Sequence, residues 1–391
     1  MTTTVATSLA HGTTAEVLEL TREALAAQLG GRKPALVAVF ASTQQDVGAL
    51  VAGLSGPGTV AIGASTAGEF TERGDAKGSV SVFAVASDDL RVTAGLGTGL
   101  RAGAEAAIDR ALEGQPHEMR GFPHRTGITL LDPFAGNGEE TALLIAEKLG
   151  PDQPLVGGAA GDDLAMKRAV VACGEQSDTD AVVIAQIFSR RPLAFGVAHG
   201  HRAISEPLRV TRATEGWVHE VDGRPAWEVW REHTRDAARA RGIDVDALDP
   251  AREGAFLLQF EAGLANGGSY KIRAPLSRRE DGSILFAAAI PQGSVLRITE
   301  SDAPSQIRSA LSAASAAKSA ANAPIAGALV FDCICRNLIL GADFAKAVHG
   351  ISETLGDVPI AGFETYGEVA LSAGDMSAFH NTTSVVLAFP R

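Results

Sequence analysis

Residues 358–374, VPIAGFETYGEVALSAG, decide how this chain is read: an apolar run, a loop carrying Tyr366, Gly367 and Glu368, and a second apolar run. Working outward, GALVFDCI (327–334) and ADFAKAVHGISETLG (342–356) precede it, and TTSVVLAFP (382–390) follows. Short runs of Val, Ile and Phe bounded by Gly, Pro and Asp predict strands, and the apolar spacing of 342–356 predicts an amphipathic helix. The same order recurs as ALVAVFAS (35–42), TQQDVGALVAGL (43–54), TVAIGASTAGEFTERG (59–74) and SVSVFAVAS (79–87). A shortened copy reads GITLLDP (127–133), EETALLIAEKLG (139–150), PLVGGAAGDD (154–163) and AVVIAQIF (181–188), its helix stopped by Gly150 and Pro151. A repeated strand, helix, strand, strand unit predicts an α/β protein of two domains with mixed sheets.

A different region separates the last unit from the first two. Asp222-Gly223 between apolar residues predicts a hairpin, Pro225 a helix start, and AFLLQF (255–260), YKIRAPL (270–276) and SILFAAAI (283–290) predict strands. The Ala/Ser-rich segment 302–324 predicts a helix packed through small residues. SRRPL (189–193) ends the second unit, so the expected layout is an N-terminal helix or extension over 1–33, one domain over 34–198 and another over 199–391.

Composition narrows the function. With 34 Lys+Arg against 46 Asp+Glu the net charge is −12, which repels a phosphate backbone and excludes nucleic acid as the main partner. No run approaches the ~18 apolar residues of a spanning helix, and the first twenty residues lack a signal-peptide pattern. With three cysteines as well, the expectation is a cytoplasmic protein without a disulfide framework or a membrane partner. Gly is 43 of 391 residues, about 11% against a usual ~7%. Much of that excess gathers in the loops at 63–68, 157–161 and 362–367, the same place in each copy.

Those loops hold the candidate site. Gly157 and Gly158 permit close backbone approach, and Asp162 is either a ligand contact or a cap for the loop. Tyr366 and Glu368 occupy the equivalent loop of the last unit; Glu69 matches Glu368 and is read as structural. His199 and His201, two apart on an expected strand, share one face, and with His380 they are the candidate metal ligands. Cys333 and Cys335 alternate on an expected strand, consistent with buried thiols. GxSxG, HExxH and GxxxxGK[ST] are absent, which favours a binding protein over an enzyme; the alternative is an enzyme that uses Asp162 or Glu368 as a general acid or base in the same cleft.

The motifs LVGGAAGDD (155–163), AIGASTAGEF (61–70), VTRATEGWVHEVDGRPAWEVW (210–230) and FETYGEVA (363–370) with FHNTT (379–383) together resemble the FIST family. The resemblance spans about Pro34 to Phe389. It implies a sensory protein that binds a small ligand and signals through a separate partner, a histidine kinase or a cyclic-di-GMP enzyme. Cys333 and Arg336 match a Cys-x-x-Arg pattern of the family, and Asn381 lies in FHNTT. One subset of the family binds haem and senses nitric oxide, which would place His199 or His201, then His380, on the iron. An amino-acid-like ligand would instead use Arg336, Glu368 and loop amides. The neutral alternative for Arg336 is a salt bridge within its own domain.

Overall fold

The computed structural model describes residues 3–150, 152–372 and 378–391. Pro151, Ala373 and Gly374, which entered the sequence reading, lie outside the described residues. The first unit runs β1 (Thr4–Ala10), α1 (Thr14–Leu29), β2 (Leu36–Ala41), α2 (Val47–Leu54), β3 (Val60–Ser65), a hairpin of β4 (Glu69–Thr71) and β5 (Gly74–Ala76), and β6 (Val80–Ala86). Residues 1–33 therefore contribute a strand as well as a helix. Thr13 and Glu16 form a capping box at the start of α1, and Gly30 ends it in the left-handed conformation.

The second unit repeats this order with β7 (Leu90–Thr98), α3 (Ala104–Leu112), β8 (His124–Leu131), α4 (Gly138–Leu149), β9 (Leu155–Ala159), the hairpin β10 (Val171–Cys173) and β11 (Gln176–Asp178), and β12 (Ala181–Ser189). The third opens with β13 (Ala194–His199) and is then interrupted. The inserted region contains β14 (Arg202–Ala203), β15 (Leu208–Thr214), β16 (Trp217–Val221), β17 (Arg224–Pro225), α5 (Ala226–Ala240), α6 (Pro250–Leu257), β18 (Ala262–Asn266), β19 (Ser269–Arg273), β20 (Pro275–Arg278), β21 (Ile284–Phe286) and β22 (Val295–Glu300). After it the third unit resumes with α7 (Ala303–Ala321), β23 (Ile325–Cys333), α8 (Ile334–Leu340), α9 (Phe344–Leu355), β24 (Ile360–Thr365), the hairpin β25 (Glu368–Leu371) and β26 (Phe379–His380), and β27 (Thr383–Pro390).

Sheet order shows what the units do to one another. The three sheets read β1-β6-β2-β3-β10-β11, β7-β12-β8-β9-β25-β26 and β13-β27-β23-β24-β4-β5. Each is built from one unit and completed by the hairpin of another, so the second and third sheets take strands from both sides of residue 198. In every sheet the second and third main strands of the unit run parallel, paired Val39 to Gly63, Thr129 to Gly157 and Val330 to Gly362. The three sheets share one core, where Phe40 stacks on Phe363 at 4.4 Å and both meet Phe331 edge-on. Helices cover the outer faces: α1 and α2, then α3 and α4, then α7 and α9. The inserted region has a separate core around Trp227, Trp230, Phe256 and Phe260.

Three local expectations are corrected. AFLLQF is not a strand: Asp249 caps the Ala251 amide, Pro250 opens α6, and the helix carries Phe256 and Leu257 inward. Cys335 and Arg336 do not continue a strand, because β23 ends at Cys333 and α8 begins at the next residue. His201 lies beyond the end of β13, separated from His199 by Gly200, so the two do not share a strand face.

Candidate functional site

The three glycine-rich loops meet and tie one another down through backbone hydrogen bonds. Gly161 and Asp163 amides donate to Ser65 and Thr66 carbonyls at 2.8 and 2.9 Å, the Ala67 amide to Glu364 at 3.1 Å, and the Tyr366 amide to Ala159 at 3.1 Å. The glycines serve this approach. A Cβ on Gly157 would strike the Thr129 carbonyl oxygen, and one on Gly158 would strike Thr365, so both stand between strands and not against a ligand. Gly63 and Gly362 abut the Val39 and Val330 carbonyls in the same way.

Above this knot, between the core and the inserted region, lies a cavity of about 530 Å³. The β8–α4 loop contributes Phe134, the loop after β9 contributes Leu164 and Met166, and the corner of β23 and α8 contributes Cys333, Cys335 and Leu338. The inserted region covers it with Leu258, Leu276 and Ala287, and the polar groups on its wall are Tyr366 and Asn381. Leu164, Met166, Leu276 and Leu338 are 37–52% exposed, and only Leu20, Val197 and Val295 are comparably exposed large apolar side chains elsewhere among the described residues. An apolar pocket with few polar groups and an uncovered apolar rim is the shape of a small-molecule site.

Cys333, Tyr366 and Asn381 are thus brought to one cavity from the sequence-predicted set. Glu368 sits behind it, fully buried, accepting from the Thr365 hydroxyl and, at 3.1 Å, from the Thr383 amide. Burial, reinforced by the neighbouring Cys333 thiol, holds its carboxyl well above the usual range. Burial likewise pushes the Cys333 thiol up, with the Cys335 thiol hydrogen-bonded beside it, so Cys333 stays protonated and unreactive. A second buried acid, Glu261, accepts the Thr382 hydroxyl at 2.8 Å on both oxygens, and burial raises it too. Asp162 does not line the apolar cavity. Burial works against its charge, but amides of Met166, Lys167 and Arg168 at 2.5–2.9 Å and the Tyr366 hydroxyl outweigh it and hold the carboxyl below its ordinary range.

Arg336 is a structural cation. It is completely buried and gives its donors to Asp332 at 2.8 Å, Ser309 at 2.7 Å, and both the side chain and carbonyl of Gln306. Nothing remains of it to hold a ligand carboxylate.

The three histidines do not assemble. His380 Nε2 bonds the Ala370 carbonyl at 3.1 Å, and His199 uses Nε2 on Ser269 and accepts the His201 amide on Nδ1. Burial pushes both down to about 4. His201 has two unpartnered ring nitrogens, but its side chain is enclosed, with Glu261 3.7 Å away and no part in lining the cavity. None of the three lines the cavity, so none is placed to ligate a haem iron there. No group of three His, Cys, Asp or Glu suited to a metal occurs among the described residues.

The sequence reading also missed the strap between insert and core. Glu139, in the first turn of α4, takes Lys271 and, at 2.7 Å, Arg273 from β19, and Arg273 donates to the Phe379 carbonyl at 3.0 Å. Charged residues on an edge strand look solvated in sequence; only the fold shows them buried. Likewise the exposure of Leu164, Leu276 and Leu338 at one rim had no sequence signal.

An α/β core of three hairpin-exchanging units, roofed by an inserted region over an apolar cavity, defines a ligand-binding module. Residues 35–224 match the FIST N domain and residues 226–371 the FIST C domain. The chain therefore belongs to the FIST family, whose domains are sensory modules that bind small ligands. It is also similar to the uncharacterized protein MJ1623 of Methanocaldococcus jannaschii, 23% identical over 250 residues, 59% of this chain and 47% of that one. The chain thus spans about half the length of that curated relative. No helix among the described residues is long and apolar enough to cross a membrane.

Proposed function

We propose that the chain is a cytoplasmic sensor whose ligand is a predominantly apolar small molecule seated beneath the inserted region, and that it signals to a separate protein such as a histidine kinase or cyclic-di-GMP enzyme. The observation that carries this is the rim: four exposed apolar side chains converge on one ligand-sized cavity whose wall offers Tyr366 and Asn381 for orientation. Of the two ligand classes implied by the family resemblance, haem would need a histidine at the cavity and an amino acid would need Arg336 or Glu368 there; none of these lines it.

Titration with the apolar dye Nile red tests the reading. Cys335→Trp fills the cavity and should weaken binding at least about tenfold, the cost of excluding one apolar group. Leu20→Trp, on an exposed helix face elsewhere, should leave it unchanged. Equal affinity for all three proteins sinks the proposal. Haem loading is the second arm: a Soret band abolished by His199→Ala, His201→Ala or His380→Ala alone returns the reading to haem.

A further inference from the structure

The loop after β9 is held in an uphill conformation. Asp163, Leu164 and Met166 have φ of 53°, 65° and 54°, and for Leu and Met the left-handed region places Cβ against the following carbonyl with no side-chain hydrogen bond to compensate. Such a loop persists only while its surroundings over-determine it. Here the surroundings are few and identifiable. The Asp162 carboxylate gathers three successive amides, and the Tyr366 hydroxyl donates to Asp162 Oδ1 at 2.7 Å while accepting the Leu164 amide at 2.8 Å. The Tyr366 ring lines the cavity, edge-on to Phe134 at 6.0 Å. One phenol thus faces the ligand space and fastens the loop.

The loop leads elsewhere. It runs directly into the β10–β11 hairpin, which lies in the first unit's sheet with Ala172 beside Gly63. The Asp163 carboxylate also accepts from Ser42 and from the Thr43 amide at 2.9 Å, at the end of β2. A displacement of residues 163–166 is therefore felt in a unit that has no wall in the cavity formed by β8, β23 and the inserted region.

We propose that the Tyr366–Asp162 hydrogen bond is the latch through which cavity occupancy is read. An apolar ligand presenting a carbonyl or other acceptor to the Tyr366 hydroxyl takes its proton in hydrogen bonding. Asp162 then loses its donor, the loop leaves the left-handed region, and the hairpin shifts in the first unit's sheet. This deepens the apolar-ligand reading and rests on it for the identity of the trigger.

Hydrogen exchange of the full chain, followed by mass spectrometry, tests the latch with and without ligand. In the free protein Tyr366→Phe should speed exchange at Leu164 and residues 166–168 by roughly tenfold or more, the consequence of losing a charge-assisted hydrogen bond. Residues 171–178 should follow, while the hairpins 69–76 and 368–371 keep wild-type rates. Unchanged exchange at 164–178 overturns the latch. Two probes then separate trigger from occupancy. 2-Acetylnaphthalene carries an acceptor and should loosen 164–178 in the wild type but not in Tyr366→Phe; naphthalene should bind without loosening it. Equal responses to both probes overturn the trigger. If neither probe binds, the cavity reading fails, and the ligand-free comparison still decides the latch.

Discussion

Replacing Arg336 by Met would remove a cation that the structure surrounds completely. Its guanidinium satisfies Asp332, Gln306 and Ser309 in a site with no exposed surface, and Asp332 is itself only 2% exposed. Methionine fills similar space but leaves the Asp332 carboxylate buried without its counter-charge. Breaking one side of such a pair costs about 3–5 kcal/mol, a factor of roughly 10² to 10³ or more in the folding equilibrium. Burial already raises the Asp332 pKa while Arg336 opposes the rise, so losing Arg336 pushes it further up. A raised carboxyl stabilises the fold below its unfolded pKa and loses that contribution as pH climbs, so the cost should shrink towards pH 4 and be full at neutrality. Urea unfolding followed by circular dichroism measures it. Tryptophan fluorescence adds a local readout, since Trp217, Trp227 and Trp230 all lie in the inserted region. Asp332→Asn in the same chain should recover much of the loss. A cost under about 1 kcal/mol, or an unchanged stability with weakened Nile red binding, would refute the structural role and restore Arg336 as a ligand anchor.

Gly157→Ala should destabilise by several kcal/mol, since φ is +154° and the new Cβ meets a backbone carbonyl that cannot rotate away; Gly30→Ala, also at positive φ but with open space around it, should cost only about 1 kcal/mol by thermal melting. Stability should also vary with pH in two opposed ways. His199 and His380, pushed down from 6.5 to about 4 by burial, contribute stability that is lost as pH falls below 6.5. Glu69 and Glu364, pushed up from 4.5 to about 7 and about 8 by burial, contribute stability that is lost as pH rises through those values. The unfolding free energy should therefore decline between pH 6.5 and 8, and Glu69→Gln with Glu364→Gln should flatten that decline; an unaltered slope would contradict the assignment.

Periodicity carries over well because it is a local property. The three copies, their helices and their closing strands are visible as apolar runs of the right length, and the Asp222-Gly223 turn appears with both residues at positive φ. AFLLQF shows the limit: an apolar six-residue run is equally a strand or the buried end of a helix, and the Asp249-Pro250 start signal decides. At the site, Tyr366, Cys333 and Asn381 were legible through motifs, but their separation from Arg336 and Glu368 was not. All five lie within sixty residues, and only the packing shows which side chains face a cavity and which are consumed behind it. The glycine clusters were legible as a shared position, with their use as turns or as ligand contacts left open. They let strands approach carbonyls, as Thr129 beside Gly157 shows, a requirement set by a neighbour distant in sequence.

The hairpin exchange makes the chain a ring of three mutual loans, and a ring closes only when its last member arrives. Strand β4, placed by residue 71, pairs with β24 beginning at residue 360, so during synthesis the first hairpin has no sheet to join until almost the whole chain exists. The second unit waits in the same way for β25. Folding must then end in one late, cooperative step, and a C-terminal truncation that removes only β25 to β27 would leave two sheets unfinished, not one. Contacts spanning nearly 300 residues also predict slow assembly for a protein of this size, with exposed hairpins as its vulnerable intermediates.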